Sequence, residues 1–189
     1  MGDDWESALR KLTRETPTAK IKTLVLDTMH SDIPDRPAAL VMAAAADTMV
    51  QSALVYALAL KEPKQVLDLF YGDGPFSTFD KKIVAAASLK VVGARTVANL
   101  KVIKNVRNVF AHALTDVSFG SGPIERACAR IKLSKKSELL LELVTGRKTR
   151  FIFGHACNEI FQGVLSYCGT KWLTGDMGKR SLLDHPILP

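Results

Sequence analysis

The chain has 189 residues, 47% of them hydrophobic, 24% charged and 7% aromatic, with 12 glycines and 8 prolines. That length suits one ordinary globular domain, and the composition excludes an intrinsically disordered or collagen-like chain. The net charge of +7 is unevenly placed: residues 1–80 carry 8 Lys+Arg against 12 Asp+Glu, residues 81–150 carry 15 against 4, and residues 151–189 carry 3 against 3.

Apolar residues recur at spacings of three and four rather than two, which predicts a mostly helical chain. The segment Trp5 to Leu12 is amphipathic and is expected to form a first helix before the break at Pro17, and residues 31–37 (SDIPDRP) read as a turn-rich connector. From Pro37 to about Leu60 the Ala, Leu and Met run predicts a long helix. Asp47 and Gln51 near its middle make it a buried helix rather than a membrane span. Val66 to Tyr71 is a short helix or turn leading into Gly72, Asp73, Gly74 and Pro75. Ser77 and Asp80 then match a capping box that opens a helix to about Val92, stopped by Gly93.

The next helix is expected from about Arg95 to Leu114, with Leu100, Ile103, Val106, Phe110 and Leu114 on one apolar stripe. Residues 124–133 read as helical, 134–146 as ambiguous, and Arg147 to Cys168 as a final helix closed by Gly169. The resulting expectation is an all-α, single-domain helical bundle. An N-terminal helix and connector occupy residues 1–35, the core bundle 36–169, and a loosely attached tail 170–189.

The acidic start, with Asp3, Asp4 and Glu6, lacks the pattern of a secretion signal. Cys128, Cys157 and Cys168 form no CxxC pair and leave an odd thiol, against a disulfide framework or a zinc ribbon. A cytoplasmic location without membrane attachment is expected. His155 and Cys157 are two apart on a helix and face about 200° from one another, so they cannot chelate one ion. No metal or cofactor site is read from the sequence.

On a wheel of about 100° per residue, Lys101, Lys104, Asn105, Asn108 and His112 share the face opposite the apolar stripe of the helix from Arg95. Arg107 stands at the stripe's edge. Cations hold phosphate, an amide orients a hydroxyl and an imidazole moves protons near neutral pH, so these are the parts for metal-independent RNA cleavage by a 2′-hydroxyl. Arg107 and His112 point about 140° apart on a straight helix. A working site therefore needs a helix end at His112 or a second copy of the motif across a dimer. The plain structural alternative pairs Arg107 with a buried acid and lets His112 close the helix against its last carbonyls. Asp47, a charge on an alanine-rich helix, normally needs a partner: it either faces solvent or a dimer partner, or pairs with Arg107 and presets that side chain.

The segment RNVFAH, residues 107–112, resembles the Arg-x4-His signature of the HEPN superfamily, small all-helical domains that usually dimerise through the helices bearing it. Residues 69–119 also resemble the central region of the mannitol operon repressor family, with Gly72, Asp73, Gly74 and Pro75 matching its loop and Arg107, Asn108 and His112 its motif. The resemblance implies a homodimeric HEPN-like regulator of transcription acting through protein or nucleic-acid contacts. Lys81, Lys82, Lys101, Lys104 and Arg107 would bind nucleic acid. The first alternative is a metal-independent endoribonuclease, a toxin or defence enzyme, with Arg107, Asn108 and His112 as catalytic residues. The second is a non-catalytic protein interaction module.

Overall fold

The computed structural model describes residues 18–173, in which eight helices and no strand occur. They are α1 Thr18–His30, α2 Asp35–Ala57, α3 Pro63–Phe70, α4 Phe79–Ser88, α5 Ala94–His112, α6 Gly122–Cys128, α7 Lys135–Glu142 and α8 Lys148–Leu173. The fold is all-α, as expected. The segment Trp5 to Leu12 and the tail beyond residue 173 lie outside the described residues.

Helix α2 is the axis of the bundle and packs against α1, α4, α5 and α8. Its alanines are the reason: Ala38, Ala39, Ala43, Ala45, Ala46 and Ala53 are buried, and small side chains let several helices approach one rod closely. By length and composition α2 could cross a bilayer, but more than half of its most apolar stretch is buried against other helices. Gly154 on α8 marks the tightest approach, since a Cβ there would lie 2.7 Å from Met29 Sδ and 3.1 Å from Met42 Sδ. Phe110, Phe119 and Phe153 continue the core with ring centroids 5.0 and 5.4 Å apart.

Several boundaries differ from the expectation. Helix α1 stands where no helix is expected, between the break at Pro17 and the connector at residues 31–37, and it belongs to the core, expected only from residue 36, through buried Ile21, Val25 and Met29. Its threonines and β-branched residues are weak helix formers, so packing of one stripe outweighs propensity. Helix α2 ends at Ala57, three residues early, and the chain turns through Ala59 at φ +50° before Pro63 opens α3. Helix α4 is capped by Thr78, whose Oγ1 accepts from Lys81 N, and not by a Ser77–Asp80 box. The Asp80 carboxylate is instead turned to Lys104 on α5, at 2.5 Å. Helix α8 runs through Gly169 to Leu173, because a glycine ends a helix only where the chain also turns.

The Gly72–Pro75 segment is a turn folded back on α3. Gly74 N donates to Tyr71 O and Phe76 N to Leu69 O, which brings the Phe76 ring within 5.5 Å of Phe70. A Cβ on Gly74 would lie 2.6 Å from two backbone carbonyl oxygens, so only glycine fits.

Charge closes the other end of the bundle. Arg150 in the first turn of α8 is 1% exposed. Its Nη2 donates to Thr28 O at 2.6 Å, and its Nη1 donates to Ile33 O at 2.8 Å and meets Asp35 Oδ1 at 3.3 Å. One guanidinium thus satisfies the end of α1 and the α1–α2 connector while facing an acid in the first turn of α2. We predict that Arg150→Met lowers unfolding stability in urea by about 3–5 kcal/mol, the usual cost of breaking a buried pair. Arg150→Lys should not restore it, because a single ammonium cannot span Thr28 O and Ile33 O. An unchanged urea midpoint in Arg150→Met would contradict this role.

Candidate nucleic-acid interface

Helix α5 is held along its whole length. Its stripe of Leu100, Ile103, Val106 and Phe110 is buried, as the wheel requires. Near its start, Asn99 Nδ2 donates to Lys132 O at 2.9 Å and Asn99 Oδ1 accepts from Lys132 N at 3.0 Å, which fastens the α6–α7 connector to it. At its end the α2 N-terminus takes over: Arg36 Nη2 donates to Ala113 O at 3.0 Å and Thr115 O at 2.9 Å, and Asp35 Oδ2 accepts from Phe119 N at 2.8 Å.

Those contacts decide where the helix stops. Ala113 is extended, with φ −64° and ψ 128°, so α5 ends at His112 and not at Leu114. Leu114, expected in the apolar stripe, is fully exposed beyond the helix. His112 is exposed in the last turn, where an imidazolium would face the terminal carbonyls favourably. Arg107 is also exposed, and its Nη1 donates to Asn108 Oδ1 at 3.1 Å. Of the two conditions for bringing Arg107 and His112 together, the helix end at His112 is present. The described chain holds one copy of the motif.

The cations expected to contact nucleic acid separate into three kinds. Lys81, Lys101 and Arg107 are exposed and have no carboxylate within 4 Å among the described residues. Lys104 is half-buried and engaged by Asp80. Lys82 is buried, with its Nζ 2.8 Å from Asp47 Oδ1, so it is a core cation and offers nothing to a phosphate. The same contact corrects the expected Asp47–Arg107 pair. Helix α2 packs against α4, which brings Lys82 to Asp47.

Sequence reasoning did not single out a second basic stretch. Arg126 in α6, Arg130 and Lys132 in the α6–α7 connector and Lys135 at the start of α7 lie within ten residues, all exposed and without a carboxylate within 4 Å among the described residues. Their density in the sequence was the available signal, and the Asn99 clamp fastens Lys132 of this stretch to α5.

Among the described residues, no group of three or more His, Cys, Asp or Glu side chains converges as metal ligands do. Cys128 and Cys157 are buried free thiols; burial pushes Cys128 up to about 12, and burial with Cys128 nearby pushes Cys157 higher still, so neither is a thiolate nucleophile. His155 is buried as well, and its imidazole is held below its ordinary range, first by burial and further by His30, with Glu159 opposing.

No family model, curated protein or solved structure matches this chain.

The pairing of Asp47 with Lys82 separates scaffold from surface. We predict that Asp47→Ala lowers stability by about 2–3 kcal/mol by stranding a buried ammonium, and that adding Lys82→Met recovers most of the loss. Arg107→Ala should change stability by less than about 0.5 kcal/mol. Chemical denaturation of the three variants and the parent protein checks this, and an Arg107→Ala loss equal to that of Asp47→Ala would overturn the assignment.

Proposed function

We propose that the protein is a HEPN-like regulatory protein, resembling the mannitol operon repressor family, that acts by binding the phosphate backbone of a nucleic acid. The observation that supports this most is the set of exposed cations with no acidic partner among the described residues: Lys81, Lys101 and Arg107 on α4 and α5, Arg126 on α6, Arg130 and Lys132 on the connector that Asn99 clamps at Lys132, and Lys135 at the start of α7. Folded proteins ordinarily intersperse charges of both signs, so a run left unneutralised is available to phosphates and releases their counterions on binding. Cytoplasmic location and homodimerisation through α5 belong to the same reading.

A second reading, metal-independent RNA cleavage, draws on Arg107 oriented by Asn108 and on His112 exposed at the end of the same helix. In it His112 would exchange the proton of the attacking 2′-hydroxyl, and Arg107 would stabilise charge developing on the phosphorane.

Fluorescence anisotropy with labelled mixed-sequence RNA and duplex DNA, over a salt series in EDTA, tests both readings. Binding should weaken steeply with salt, and the double variant Lys101→Gln, Arg107→Gln should lower the log–log salt slope by about 2, roughly one per lost phosphate contact. Gel analysis of the same RNA samples reports cleavage. Cutting lost in both Arg107→Ala and His112→Ala would favour the enzyme reading over the regulator. Absence of salt-dependent binding to either nucleic acid would overturn the proposal and leave the interaction-module reading.

A further inference from the structure

Helices α1, α7 and α8, with the start of α5, surround a cleft of about 770 Å³, within the usual size range of small-molecule sites. Much of its wall is apolar: Leu26 and Met29 from α1, Leu140 from α7, and Phe151 from α8. Leu143 at the end of α7 also lines it while remaining 80% exposed, an apolar edge left open to whatever enters.

The polar groups in this wall are under-used. His155 is only 8% exposed, yet it makes no hydrogen bond to any described residue, and its neighbours are the Phe151 ring, His30 and Glu159. One turn further on, Asn158 Oδ1 is buried without a partner. The His155 imidazole lines the cleft with no hydrogen-bond partner among the described residues, so a ring N–H is available to an acceptor that enters it. Arg95 and Lys136 line the same cleft with no carboxylate within 4 Å. Glu159 is the one acid there, and its Oε1 already accepts from Ser134 N at 2.8 Å. Two cations against one engaged carboxylate leave a single positive charge, which a monoanion balances.

We propose that this cleft binds a small amphiphilic carboxylate, its acid group held by Arg95 and Lys136 with the His155 N–H as a further donor, and its apolar body against Leu26, Met29, Leu140 and Phe151. This site is separate from the cations assigned to nucleic acid, so it stands or falls without them.

Octanoate is the probe, with octylammonium and octanol as controls of the same chain length. Calorimetry on the full chain should register octanoate binding, and the NMR signals of the His155 ring should move as it is added. Lys136→Gln and Arg95→Gln should each weaken binding about tenfold, the effect of losing one charge-assisted contact. Octylammonium should bind at least tenfold more weakly than octanoate. Equal binding of octanoate and octylammonium, octanoate binding that neither substitution affects, or no binding with unmoved His155 signals would each overturn the proposal.

Discussion

A guanidinium with almost no contact with water fixes where the helices of this bundle meet. Arg150 stands at the start of α8, where the helix dipole disfavours a cation, and it is retained there by the terminal carbonyls of the α1 side and by Asp35. Asp35 then reaches in the other direction to Phe119 N, and its neighbour Arg36 holds Ala113 O and Thr115 O. Two consecutive residues in the first turn of α2 therefore connect α8, the α1–α2 connector and the chain leaving α5. The alanine-rich body of α2 supplies close packing but little directional information; the charged first turn supplies the direction.

That arrangement bears directly on the candidate site. The position of His112 is set by where α5 ends, and α5 ends where Arg36 captures the two carbonyls beyond it. At the other end, Asn99 holds the basic connector by a two-way backbone clamp. The fold also sorts the cations: Lys82 and Arg150 are consumed by Asp47 and Asp35, Lys104 by Asp80 and Arg147 by Asp32, Arg95 lines the cleft, and the remaining cations of the central basic segment face outward. A scaffold built on buried ion pairs and a surface left with unpaired cations are two results of one charge imbalance.

The helical class and the buried stripe of α5 were legible from periodicity alone, because Leu100, Ile103, Val106 and Phe110 recur at the spacing of one helix face. The turn at Gly72–Pro75 was equally legible from composition. Three features were not. Helix α1 carries weak helix formers and is stabilised by neighbours distant in sequence. The end of α5 is imposed by Arg36, a residue 77 positions away from Ala113, and no local signal at residues 112–114 encodes it. The partner of Asp47 depends on which helix packs against α2, so a reading confined to one chain segment matched it to Arg107 and missed Lys82. Local pattern reveals elements and faces; long-range pairs of charged groups need the fold.

In the proposed function, the outward cations on α4, α5 and the stretch from α6 to the start of α7 form the surface that meets a polyanion. Acetylation footprinting of lysines, with and without a mixed-sequence RNA and read by mass spectrometry, tests it most directly. Protection is expected at Lys81, Lys101, Lys132 and Lys135, with unchanged labelling of Lys61 before α3 and of Lys64 in its first turn, and little labelling of buried Lys82 in either sample. Protection of Lys61 and Lys64 to the same extent as the others, or no protection anywhere, would contradict it.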